Sequence, residues 1–128
     1  MTPNPAFRIL ACFAGLMGAI GMAFAAAAAH QGDAAARLGP ASTMLLFHAC
    51  AVLGAAALAG SAIIHRRLGL IAAFAFVLGT ALFSGDLAMR HYAGRALFAM
   101  AAPSGGTLLI VAWLTVALAG VWPGRKVP

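Results

Sequence analysis

Four long apolar stretches, Ile9 to Ala29, Thr43 to Ile64, Leu68 to Leu87 and roughly Ala96 to Val121, constrain this chain more than any other feature. Each is about the length a helix needs to cross the roughly 30 Å hydrocarbon core at 1.5 Å per residue. In hydrocarbon no water satisfies the backbone, so every amide and carbonyl must be paired within the segment, and that forces helix. With 64% of the residues hydrophobic and 8% charged, the polar side chains are too few to coat a ball in water. The medium must be lipid.

The connections are short: His30 to Ser42, His65-Arg66-Arg67, and about Ala88 to Arg95. Short connections make sequential helices antiparallel neighbours. The expected fold is therefore all-α and integral to the membrane, with residues 1–128 forming a single transmembrane domain of four helices in an up-down-up-down bundle.

Positively charged residues set orientation, because cytoplasmic loops carry the excess of Lys and Arg. Arg8, Arg66, Arg67, Arg125 and Lys126 fall on one side, against Arg37, Arg90 and Arg95 on the other. Both termini are therefore expected in the cytoplasm. The run Ala25 to Ala29 after Arg8 and an apolar stretch also fits a cleaved signal peptide. The apolar stretch exceeds the 7–15 residues typical of a signal core, so retention of the first span is expected.

The formal net charge of +6 comes from basic residues scattered between apolar blocks. That pattern suits anionic headgroups and not a nucleic-acid groove. Cys12 and Cys50 stand in apolar runs without metal or redox spacing and read as small packing residues. Ala11, Gly15, Gly18 and Ala19 on the first span, and Cys50, Gly54, Ala57 and Ser61 on the second, form small-residue faces. Such faces drive close helix packing or self-association in lipid.

Ionisable groups at membrane depth are costly and need a partner or a purpose. His30 closes the first span, His48 lies about a turn and a half into the second, and Asp86 lies in the last turn of the third. With Ser84 and Ser104 they make a candidate polar cluster at the non-cytoplasmic end. Asp86 and Arg90, four apart, are spaced for a local ion pair; alternatively Asp86 faces the interior and exchanges protons with His48. His30 and His48 also raise the question of haem or metal ligation, although no ligand-type spacing accompanies them. Pro103-Ser104-Gly105-Gly106 opens the fourth helix if Pro103 is its first residue and kinks it if the helix starts earlier. Gly85, Gly105 and Gly106 open the backbone to close approach. Trp113 falls near mid-span, and Trp122 falls at a membrane boundary.

Paired carboxylates, a nucleophile elbow and a phosphate-binding glycine loop are missing from the sequence. No catalytic residue, no resident metal and no cofactor is expected.

The residues Leu82-Phe83-Ser84-Gly85, Gly94, Pro103-x-Gly105-Gly106 and Trp113 resemble the second half of the family catalogued as domain of unknown function 423, to which the animal transmembrane protein 256 is related. Ala29-His30 and Phe47-His48-Ala49 resemble its two histidine motifs. Asp86 stands where that family usually has Ser, and Ala102 where it has Thr. The resemblance implies a multi-pass inner-membrane protein and no particular reaction. The functional expectation is a non-enzymatic accessory or scaffolding component of a membrane assembly, associating with the bilayer and with copies of itself or a larger complex. Two alternatives are a small transporter or proton relay built on His30, His48 and Asp86, and a haem- or metal-binding protein.

Overall fold

A computed structural model describes residues 4–122. The chain forms α1 (Pro5–His30), α2 (Ala35–Gly60), α3 (Arg66–Tyr92) and α4 (Ala101–Val121), each long and apolar enough to cross a membrane. Asn4 caps α1, its side chain accepting the Ala6 N–H at 3.0 Å, with Pro5 fixing the first helical φ. His65 Nδ1 accepts the Leu68 N–H at 3.4 Å and caps α3 in the same way.

The helices depart from the sequence expectation at their ends. α2 begins at Ala35 and not at Thr43, which leaves only residues 31–34 between α1 and α2. Pro40 stands inside α2. It withholds an amide only from the carbonyl of Ala36, an exposed residue in the first turn, where polar surroundings donate to that carbonyl in the amide's place. α2 stops at Gly60 because Ala62 turns the chain through a left-handed conformation at φ 58°. α3 continues to Tyr92, so Asp86 lies a turn and a half inside it. α4 starts at Ala101, after an irregular stretch containing Gly94 at φ 69° and Met100 at φ 67°. Pro103 is consequently its third residue, within the first turn, where a missing N–H breaks no helical bond.

Consecutive helices pack antiparallel along their lengths; α1 touches α3 lightly, and α4 lies against α3 without an interface to α1. α2 and α3 thus form the middle of the bundle. Leu10, Ala14, Met17 and Gly21 of α1 meet Leu45, Ala49 and Val52 of α2, and Phe76 of α3 is fully buried among them. Two serine hydroxyls pin the register by donating to carbonyls of the preceding helix. Ser42 bonds Gly21 at 2.8 Å, and Ser84 bonds Ala41 at 3.0 Å. α3 and α4 cross at Gly79 and Gly105: a Cβ at residue 105 would lie 2.6 Å from the Gly79 carbonyl oxygen and 2.7 Å from the Phe83 nitrogen. Only glycine permits that approach. At the loop end joining α2 to α3, the His65 N–H donates to the Ala119 carbonyl at 2.9 Å, and the Arg66 guanidinium lies 5.3 Å from the Phe7 ring centroid.

The outward surface is apolar on every helix, with Leu16, Ile71, Ile110 and Leu114 all more than half exposed. Lipid is the medium in which such a surface is stable. The protein is a multi-pass membrane protein. The small-residue faces of α1 and α2 turn outward and not into the bundle: Ala11, Gly15, Ala19, Cys50, Gly54, Ala57 and Ser61 are exposed, and a Cβ added at Gly15, Gly18 or Gly54 meets nothing within 4 Å. The interior seam is taken instead by Leu10, Ala14, Met17 and Gly21 of α1 against Leu45, Ala49 and Val52 of α2, large side chains interleaving with small ones.

Candidate functional site

Polar groups gather in two places, a clasp at the end where α1 joins α2 and a histidine at mid-bundle. In the clasp, Asp86 is fully buried although it lies near the end of α3. Its Oδ2 accepts from Arg90 Nε at 2.9 Å, and its Oδ1 accepts the Leu97 N–H at 2.8 Å. The backbone N–H of Ala102, in the first turn of α4, also acts on this carboxylate. An acid is favourable there, because a helix start presents unpaired amides and a partial positive charge. Arg37 of α2 completes the clasp, donating from Nη1 to the Arg90 carbonyl at 2.8 Å. One carboxylate and two arginines thereby tie α2, α3 and the α3–α4 connection together.

His48 is buried at the fourteenth position of α2 and not near its start, because α2 begins earlier than expected. Its Nδ1 faces the Met44 carbonyl at 2.9 Å, and its Nε2 faces the Trp113 indole nitrogen at 3.3 Å. A carbonyl only accepts and an indole N–H only donates, so the ring is the neutral Nδ1–H tautomer. Both ring nitrogens are engaged. Phe76, Trp113 and Phe47 surround the ring at centroid distances of 5.5, 6.1 and 5.3 Å.

These placements separate the residues that the sequence grouped. The Ser84–Ala41 bond sets the level of α3 against α2, and Asp86 and His48 lie nine residues apart on that scale, about 13 Å along the axis. The Ser42–Gly21 bond likewise puts His30 about 22 Å from the level of His48. His30 is exposed and bonds the Ala26 carbonyl of its own helix at 2.8 Å. Ser104 is exposed on α4, outside the clasp. The five residues therefore do not form one cluster: Ser84 and Asp86 stand near the clasp, His48 stands at mid-bundle, and His30 and Ser104 stand apart. Of the backbone-opening residues, Gly105 carries the α3–α4 crossing, whereas a Cβ at Gly85 meets nothing and one at Gly106 only just reaches Phe83 at 4.0 Å.

Arg37, Leu97 and Trp113 were not among the site residues expected from sequence. Trp113 carried half a signal, since an indole N–H at mid-membrane requires an acceptor, but the sequence placed His48 nearer the membrane boundary and so did not point to it. The Leu97 amide and the Arg90 carbonyl are backbone groups and had none. Thr80 is the one buried side-chain polar group without a hydrogen-bond partner among the described residues.

A family model described as "Protein of unknown function (DUF423)" matches residues 17–106, from mid-α1 into the first turns of α4. The match spans the clasp, His48 and the Gly79–Gly105 crossing. No curated protein and no solved structure matches the chain.

Proposed function

The chain belongs to the family described as Protein of unknown function (DUF423), and from that premise we propose that it is a non-catalytic accessory component of a larger membrane assembly. One observation carries the reading: the bundle leaves the small-residue faces of α1 and α2 turned outward, with space around Gly15 and Gly54 for a side chain. Small outward residues let a neighbouring helix approach closely, and in lipid that approach supplies the association energy. The polar side chains of the interior support the same reading, because Ser42, Ser84 and His48 are spent on bonds between helices and Asp86 on a bond to the α3–α4 connection. A relay would need Asp86 and His48 in one cavity, and a haem or metal would need a free His48 nitrogen.

The proposed setting is a bacterial inner membrane with both termini in the cytoplasm. Arg8, Arg66 and Arg67 stand at one end of the bundle; Arg125 and Lys126 lie outside the described residues. α1 stays with the protein in this account, since Leu10, Ala14 and Met17 are core residues and Gly21 receives the Ser42 bond.

Cys12 and Cys50 are exposed beside these faces, so bismaleimide crosslinking in native membranes tests the proposal directly. A crosslinked species larger than the monomer is expected, lost in Cys12→Ala/Cys50→Ala and weakened in Gly15→Leu/Gly54→Leu. A crosslink pattern unaltered by the leucine variants would overturn the assignment of these faces.

A further inference from the structure

α2 and α4 do not pack along each other, and a lipid-facing groove of about 340 Å³ runs between them over α3. Met44, His48, Phe83, Gly106, Leu109 and Trp113 line it. Two arginines stand at its clasp end. Arg37 precedes Met44 by seven residues and Arg90 follows Phe83 by seven. Seven residues is close to two helical turns, so each arginine shares a helix face with the groove residue below it.

The Arg37 Nη1 bond to the Arg90 carbonyl holds the two stems together at the groove head. Asp86 takes the Nε of Arg90, which leaves two positive charges against one negative. From Arg37 to His48 is eleven residues, about 16 Å, close to half of the roughly 30 Å hydrocarbon core. The lower end of the groove is closed by the 3.3 Å bond between Trp113 and His48. A helix about 10 Å across cannot lie between residues that close.

We propose that this groove seats an acyl chain of an anionic glycerophospholipid, with its phosphate on Arg37 and Arg90 and its chain reaching to Trp113. The groove walls are apolar, as an acyl chain requires, and the one titratable ring in them has both nitrogens occupied. The guanidinium forks match phosphate oxygens. Depth, wall chemistry and headgroup charge all select a single lipid from one leaflet. This site is separate from the outward faces of α1 and α2, so either proposal stands without the other.

The test uses the full chain in nanodiscs with Trp122→Phe as background, leaving Trp113 as the sole tryptophan. Phosphatidylglycerol or phosphatidylcholine with brominated chains is added at a low mole fraction to unbrominated phosphatidylcholine. Trp113 is expected to be quenched preferentially by the brominated phosphatidylglycerol, with the preference falling about fivefold in Arg37→Gln. Gly106→Leu fills the groove and is expected to abolish the preference while leaving the clasp intact. Equal quenching by the two lipids, or a preference unchanged in both variants, overturns the proposal. So does shielding from both lipids that disappears at one chain per nanodisc, which would put a second copy in the groove.

Discussion

The indole N–H of Trp113 donates to Nε2 of His48 across 3.3 Å, joining α4 to α2 at mid-bundle where those helices otherwise part. Trp113→Phe keeps an aromatic ring beside Phe76 but leaves the imidazole nitrogen unpaired in an apolar site. The expected loss is about 1–3 kcal/mol, read as a lower midpoint of thermal unfolding in detergent. Adding His48→Phe removes the orphaned nitrogen and is expected to recover part of that loss.

The crossing of α3 and α4 predicts opposite results at adjacent glycines. Gly105→Ala forces a methyl against the Gly79 carbonyl and the Phe83 amide and is expected to cost about 1–3 kcal/mol as the helices separate. Gly106→Ala meets only Phe83 at 4.0 Å and is expected to leave stability within about 0.5 kcal/mol of the parent. Denaturant titration in mixed micelles distinguishes the two.

Asp86 holds the α3–α4 connection through the Leu97 amide. Asp86→Ala deprives that amide of its acceptor and leaves Arg90 without its acid, at an expected cost of about 3 kcal/mol. Hydrogen exchange at Leu97 is then expected to quicken while amides around His48 keep their protection.

Thr80 contributes nothing through its hydroxyl, which is buried and unpaired. Thr80→Val removes an unsatisfied group at nearly constant volume and is expected to be neutral or stabilising by about 1 kcal/mol. Thermal unfolding of the variant in detergent checks the sign.

The helical, lipid-immersed character of the chain was legible because it depends on long runs of apolar residues, a signal that survives without tertiary information. Helix ends were less so. Pro40 reads locally as a break, yet it lies so near the start of α2 that its missing amide disturbs a single exposed carbonyl. The Asp86–Arg90 pair is visible as four-residue spacing, whereas Leu97 joins it through a backbone amide that carries no residue-type signal. Which face of α1 turns inward was not legible, because alanine and glycine populate several faces and the choice falls to Leu10 and Met17. His48 and Asp86 looked close because the sequence does not reveal where α2 begins.

The claim that outward small-residue faces dock this protein into a larger assembly is tested most directly by its mass in nanodiscs cut from native membranes without detergent. Wild type is expected above the mass of a single 128-residue chain, and Gly15→Leu/Gly54→Leu is expected at that of one chain. A wild-type particle holding one chain and no other protein would contradict the account.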